Sequence, residues 1–212
     1  DYNRSVTGLT FNSKKSKYTS STTIFFKTFN NNENRPFNYL IEDSDSYGFR
    51  HIGKFQLTPF NMSYGLEYSY ENYSFNTWDE YGTEDESIIT QQIQKRKNYN
   101  FFFQLDRSFE NSFLTFGIGS NKINYNWVEE INSTSFSYKT KTILSPRVSY
   151  NYNLNKSSIF ANISHGFSSP NIDETLDENG LVNSEIKPEI GWNYELGLIG
   201  TAKNNLLSYV FS

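Results

Sequence analysis

The chain has 212 residues and a formal net charge of −4, with 36% hydrophobic, 18% aromatic and 20% charged residues and no cysteine. Charges of both signs are interspersed without a basic stripe, which argues against a nucleic-acid partner, and the lack of cysteine excludes disulfides and thiolate metal sites. A mean hydropathy of −0.66 is low for a packed soluble core, yet 19 Phe, 16 Tyr and 3 Trp are too many for a disordered chain. A polar chain rich in aromatics describes strands with one greasy face and one wet face. No apolar run approaches the roughly 18 residues of a membrane helix. The N-terminus, DYNRSVTG, has neither the basic region nor the apolar core of a signal peptide.

Taken in chain order, period-two alternation is nearly everywhere and helical periodicity nearly nowhere. Strands are expected at about 4–12, 18–29, 46–57, 61–74, 95–107, 112–127, 138–154, 157–166, 188–201 and 204–212. In the third, Phe49, Gly53, Phe55 and Leu57 oppose Arg50, Lys54 and Gln56, with His51 and Ile52 breaking the rule. In the fourth, Met62, Tyr64, Leu66, Tyr68 and Tyr70 share one parity, and Ser63, Gly65, Glu67, Ser69 and Glu71 the other. In the fifth, Tyr99, Phe101, Phe103 and Leu105 oppose Asn98, Asn100, Gln104 and Asp106. In the sixth, Leu114, Phe116 and Ile118 lie on one parity and Ile123, Tyr125 and Trp127 on the other, so a bulge is expected near Gly119–Asn121. Later, Val148, Tyr150, Tyr152 and Leu154 alternate with Arg147, Ser149, Asn151 and Asn153, and Trp192, Tyr194, Leu196 and Leu198 with Asn193, Glu195 and Gly197.

Such strands exceed the five or six residues typical of soluble sheets, by rough count. They match the about 9–11 residues with which a tilted strand crosses a bilayer. Short turns are expected at 58–61, 108–111, 155–156 and 203–204, and long polar stretches at 30–44, 75–94, 129–137 and 168–187. Short turns on one side and long loops on the other mark an up-and-down barrel in an outer membrane. Tyr47, Tyr70, Tyr73, Tyr125 and Trp127 fall near the expected outer ends, where an aromatic girdle belongs. The fold class is therefore all-β, an antiparallel up-and-down transmembrane β-barrel segment.

The last 70 or so residues carry a more specific series. It runs Phe160-Ala-Asn-Ile-Ser-His-Gly-Phe-Ser-Ser-Pro170, then Glu174, then Ile186-Lys-Pro-Glu189, then Asn193-Tyr-Glu-Leu-Gly197. A strand Ser145-Pro-Arg-Val-Ser-Tyr150 and a Leu154-Asn-Lys turn precede it. This order resembles the barrel of TonB-dependent outer-membrane receptors. The resemblance implies that the chain supplies about ten strands of a 22-stranded barrel, the size of plugged outer-membrane transporters. It implies an outer-membrane location in a Gram-negative bacterium, contact with outer-membrane lipid, and coupling to the TonB complex through a plug domain. It implies uptake of a small extracellular ligand: an iron–siderophore first, with haem, cobalamin or a glycan as alternatives. No plug and no signal peptide are recognisable in residues 1–212, which are read as a partial barrel from inside a larger receptor.

The candidate sites each have a plain structural reading. Gly166, Phe167 and Pro170 can shape a ligand loop, or simply steer the chain out of a strand. Lys187, Pro188 and Glu189 suit a strand entry, where the missing N–H of proline is harmless. With Tyr194, Glu195 and Gly197 they are the family-motif residues; Glu195 can pair with a neighbouring cation or with the plug. Loop 76–85 combines Trp78 and Tyr81 with four carboxylates. Aromatic rings there, and Trp127, are the candidate ligand contacts, against a solvated acidic loop as the alternative. The spacing matches no EF-hand. Asp173, Glu174, Asp177 and Glu178 form a second acidic loop, and His51 and His165 lack partners at metal-ligand spacing. No catalytic triad, nucleophile elbow or phosphate loop appears. The chain is therefore expected to be neither an enzyme nor a holder of a metal or cofactor. Two other readings remain: a complete small outer-membrane barrel, and a soluble glycan-binding module.

Overall fold

A computed structural model describes residues 1–79, 87–131, 133–168, 187–202 and 207–211. They form one antiparallel sheet of eleven strands without a helix: β1 (Tyr2–Lys15), β2 (Tyr18–Asn34), β3 (Tyr39–Leu57), β4 (Phe60–Trp78), β5 (Ile88–Ser108), β6 (Ser112–Glu129), β7 (Thr134–Lys139), β8 (Ile143–Leu154), β9 (Ser157–Ser168), β10 (Glu189–Ala202) and β11 (Leu207–Phe211). The order is a meander, β1 through β6 and then β8 through β11, with β7 paired to β6 beside that path. β1 and β11 are not paired with each other, so the sheet does not close within this chain.

The period-two pattern becomes two faces because paired residues point the same way. On the outward face Tyr47 pairs with Tyr70, Phe49 with Tyr68 and Phe55 with Met62. The row continues through Leu66–Phe101, Leu105–Phe116 and Phe116–Val148 to Ile163–Tyr194. Tyr47, Phe49, Leu66, Phe101, Phe116, Val148, Ile163 and Tyr194 of this row are exposed, and Phe55, Met62, Tyr68, Tyr70 and Leu105 half-buried. The other face holds nearly every buried side chain: Leu40 (0% exposed), Ser44, Thr77, Thr115, Asn121, Ile123, Trp127 (5%) and Glu129. Side chains crowd where a sheet curves inward, so this polar face is the lumen side and the greasy face looks out. Two-residue hairpins close the lower end at 16–17, 58–59 and 155–156. Asn155 has φ 47°, the left-handed region that asparagine tolerates in tight turns.

The strands are longer than the sequence suggests. β4 has 19 residues and β5 has 21. Expected loops are largely strand: β2 runs to Asn34 and β3 starts at Tyr39, β4 runs to Trp78 and β5 starts at Ile88, and β6 runs to Glu129 and β7 starts at Thr134. Local polarity reads as loop, but cross-strand pairing extends the ladders through it. The expected strand 138–154 is divided into β7 and β8. The expected turn at 203–204 and the loop at 169–186 lie outside the described residues.

The expected bulge in β6 is absent. β5 and β6 keep one register from Gln92↔Glu129 to Ser108↔Phe113. The irregularity lies on the facing chain at 140–142, where β7 hands over to β8. There Thr140 substitutes for a ladder residue. Its N–H and hydroxyl donate to the Ile123 carbonyl at 2.9 and 3.2 Å, and its Oγ1 accepts from the Ile123 N–H at 2.9 Å. Thus Ile123, Tyr125 and Trp127 face the lumen, and so does Tyr73, whose hydroxyl donates to the Glu42 carboxylate. Tyr73, Tyr125 and Trp127 are therefore not part of an outward girdle. Tyr47 and Tyr70 are, together with Tyr68 and Tyr99.

Candidate functional site: the lumen wall

The apolar face changes side part-way up the sheet. On β4 the outward residues from Phe60 to Tyr70 are greasy, over about the 9–11 residues of a bilayer crossing. Above them Asn72, Ser74 and Asn76 point outward and Tyr73 and Phe75 inward. On β6, Leu114, Phe116 and Ile118 point outward below, while Lys122, Asn124 and Asn126 do so above. The sequence carries this reversal as a phase change without a bulge. From Phe60 to Tyr70 the outward side of β4 is apolar; directly above, it is polar, and Tyr73 and Phe75 turn to the lumen.

One polar cluster interrupts the outward belt. His51 bonds Thr22 Oγ1 through Nδ1 (2.8 Å) and Tyr64 Oη through Nε2 (3.3 Å), and Tyr64 Oη reaches Tyr18 Oη at 3.1 Å. Both imidazole nitrogens are engaged, as a polar group inside a bilayer requires. This accounts for His51 at an outward position.

The lumen face is charged at belt level and aromatic above it. Arg50 pairs with Glu67, and Arg96 with Glu71. Glu71 also accepts from Ser44 Oγ at 3.1 Å. Arg147 donates to Gln104, and Thr115 donates to Asp106 at 2.8 Å. Asn121 donates to both Asn98 and Asn100. Between β1 and β5 an open concavity of about 440 Å³ is lined by Arg4, Lys27, Phe29, Ser44, Glu71 and Arg96. It holds three cations against one carboxylate. Higher up, Trp127 donates its indole N–H to Gln92 Oε1 at 3.3 Å. Beside it Tyr125 and Tyr138 rings lie 6.5 Å apart, and Phe136 stacks on Tyr138 at 6.3 Å. Burial, and then the neighbouring Tyr125, raise the Tyr138 phenol above its ordinary value near 10.

Of the sequence-derived ligand contacts, Trp127 lies on this wall but is almost wholly buried. Trp78 stands at the top of β4, partly exposed and paired with Tyr39. Tyr81 lies outside the described residues, as do Pro170 and the acidic positions 173–178. Gly166 and Phe167 belong to β9, opposite Gly191 and Ile190. A side chain at Gly166 would meet open space. Lys187 and Pro188 immediately precede β10, and Glu189 begins it opposite Ser168. Tyr194 faces outward beside Ile163, and Glu195 faces the lumen beside Asn162. Sequence reading alone missed the Arg4–Lys27–Arg96 group. Shared parity was its only signal, and that needs the register to bring three strands into line. Among the described residues no three His, Asp or Glu side chains gather as a metal site.

Solved structures share this architecture. The ferric citrate transporter FecA in its unliganded form superposes with a TM-score of 0.71 at 14% identity, over 93% of this chain and 32% of that one. The copper transporter OprC gives 0.78 at 16% identity, over 95% and 36%. The ferripyoverdine receptor of the outer membrane of Pseudomonas aeruginosa gives 0.62 at 13% identity, over 91% and 30%. At these identities the likeness is one of fold, and the chain spans about a third of the length of each. A comparison with curated proteins finds no match. The family model for the TonB dependent receptor-like β-barrel matches residues 1–210, and the chain belongs to that family.

Proposed function

We propose that this chain forms part of the barrel wall of a Gram-negative outer-membrane receptor that binds an iron–siderophore outside the cell and passes it inward by TonB-energised transport. The reversal of the apolar face at Tyr70 carries the reading. It gives the sheet a lipid belt below and a ring-lined wall in water above, where an incoming ligand is met first. Backbone groups inside lipid must all be paired, so these strands continue into a closed barrel. The plug and the TonB-contacting segment belong to the rest of that receptor.

The chain's part is binding and lining, with no bond made or broken. Arg4, Lys27 and Arg96 attract an anionic ferric chelate, and Glu71 fixes the Arg96 guanidinium. Trp127, held by Gln92, shapes the upper wall, and Trp78 and Tyr81 contact ligand at the rim. Iron is cargo in this scheme. FecA and the ferripyoverdine receptor are named for ferric ligands, which favours a siderophore over cobalamin, haem or a glycan.

The test is uptake of radio-iron by iron-starved cells expressing the receptor, supplied as ferric citrate, a ferric hydroxamate or a ferric catecholate. One of these enters, entry stops when the proton gradient is collapsed, and a Lys27→Gln/Arg96→Gln variant takes it up at least about tenfold more slowly at limiting concentration. Entry of none of the three contradicts the siderophore reading.

A further inference from the structure

One edge of β7 is bare. β7 pairs with β6 alone, along the stretch of β6 that faces Lys97 to Gln92 of β5. The strand that would cover its other side stops short. β9 runs to Ser168, but its ladder with β8 ends at Arg147↔Ser164, and above that point β9 pairs only with β10. Pro146 stands at the break and brings no N–H to continue the ladder. Among the described residues nothing pairs with the far side of β7.

The hydrogen bonds on either side of β6 fix which groups that edge presents. Thr140 N–H donates to the Ile123 carbonyl and Asn153 N–H to the Asn111 carbonyl, while Glu130 N–H donates to Gln91 on β5. Odd residues of β6 therefore turn their backbone groups to β7 and β8, and even residues to β5. Bonding alternates along an antiparallel pair. Tyr125, Trp127 and Glu129 thus bond Tyr138, Phe136 and Thr134, and the N–H and C=O of Ser135, Ser137 and Lys139 point away from β6. These groups form a line of donors and acceptors repeating every second residue, and an extended backbone satisfies all of them at once.

The two faces beside the edge suit an added strand that carries side chains. Towards the lumen, Phe136 stacks on Tyr138 at 6.3 Å, continuous with Tyr125 and the ring-lined wall. On the outward side Ser135 and Ser137 are small and exposed. Lys139, and Lys141 just after it, are also exposed, and among the described residues neither pairs with a carboxylate. An added strand would set alternate side chains on the rings and over the serines, with a carboxylate favoured at the lysine end.

We infer that the open edge of β7 takes a linear peptide segment of the incoming ligand by strand addition, so that the chelate this receptor takes up is built on peptide backbone. The edge adjoins the ring-lined wall that the ligand meets, and the inference rests on the transport reading for what arrives there. Main-chain bonds supply the affinity, and Phe136, Tyr138 and the two lysines select the side chains.

The test is hydrogen exchange at single-residue resolution on the intact receptor, one per nanodisc, with and without the capped peptide Glu-Thr-Val-Thr-Val-Thr. Without peptide, β7 alternates: the amides of Ser135, Ser137 and Lys139 exchange fast and those of Phe136 and Tyr138 slowly. Millimolar peptide slows the fast amides at least about tenfold. N-methylation of the peptide residues whose N–H faces β7 abolishes the effect, and N-methylation of the alternate residues spares it. Ser137→Pro removes one edge donor, leaves the bonds to β6 in place, and weakens peptide binding at least about tenfold. Slow exchange at 135, 137 and 139 before any peptide is added shows that the receptor itself fills the edge, and overturns the inference. So does an absence of slowing with peptide, or an equal effect of both N-methylated forms. Protection that needs two receptors per disc and no peptide assigns the edge to a second copy and overturns it too. Should no ferric chelate enter cells while the peptide still protects the edge, the transport reading falls and the peptide site stands.

Discussion

The Phe160 ring lies over Gly197, its direct partner across the β9–β10 ladder, in the space where a side chain at 197 would stand. Phe25 covers Gly48, and Phe102 covers Gly65, in the same cross-strand relation. All three pairs are on the lumen face. They explain why phenylalanines occur on the wet side: each ring lies flat against a neighbouring backbone instead of projecting into water. Gly197→Ala would force the Phe160 ring off its seat and crowd the Phe211 carbonyl at 2.7 Å. It should lower the stability of the detergent-solubilised receptor by about 1–3 kcal/mol, the usual cost of overpacking. Removing the ring as well, in Phe160→Ala/Gly197→Ala, should cost less than the sum of the two single changes. Thermal unfolding followed by heat-modifiable gel migration reads all three.

The belt makes a depth-dependent prediction. Leu66 faces outward between Tyr64 and Tyr68, and Asn72 faces outward above Tyr70. Leu66→Arg should destabilise by about 2–4 kcal/mol, as an arginine near the bilayer midplane does, and Asn72→Arg by about 0–1 kcal/mol. Equilibrium unfolding in phospholipid vesicles separates them.

The lumen ion pairs set side-chain directions more than they stabilise the fold. In the Arg50–Glu67 pair the arginine side chain is 59% exposed. Arg50→Gln should therefore cost less than about 1 kcal/mol. A larger loss in the same unfolding assay would show that the pair is shielded from water in the intact receptor.

Tyr138 links the β6–β7 pairing to pH. Burial, with Tyr125 nearby, raises its folded-state pKa above the ordinary value of 10.0, so the folded chain holds its proton where the unfolded chain has released it. This contribution is complete below pH 10 and is lost as pH rises through the raised value. Protease cleavage between β6 and β7 should accelerate above pH 10, and Tyr138→Phe should remove that part of the acceleration.

Much of the architecture was legible from alternation alone, because period two reports which side of a sheet is greasy. The outward row Met62, Tyr64, Leu66, Tyr68 and Tyr70 emerges unchanged. What alternation could not report was the solvent on each side. Ile123, Tyr125 and Trp127 read as a break in β6, although the strand is regular and only the face that carries its apolar residues changes. Strand ends above the belt were missed for a related reason: Asn30, Asn31 and Asn32 look like loop, but Asp43, Glu42 and Ile41 lie opposite them and complete the ladder. Asn30 Nδ2 donates to Asp43 at 2.5 Å, and Asn31 Nδ2 donates to Glu42 at 2.9 Å. The lumen cations Arg4, Lys27 and Arg96 come from three strands, so only register brings them together. The Gly-Phe and Lys-Pro-Glu marks identified a family, and the geometry gives one of its glycines, Gly197, a packing reason.

The central claim is that the apolar face of one continuous sheet changes side at the level of Tyr70. The chain has no cysteine, so single spin labels can be placed in it through Leu66→Cys, Asn72→Cys and Tyr125→Cys in the receptor reconstituted in vesicles. Collision with oxygen, which concentrates in lipid, and with a water-soluble nickel chelate then reports each site's surroundings. The account predicts oxygen access without nickel access at 66, nickel access at 72, and little of either at 125. A lipid-like signal at 72, or free nickel access at 66, would contradict it.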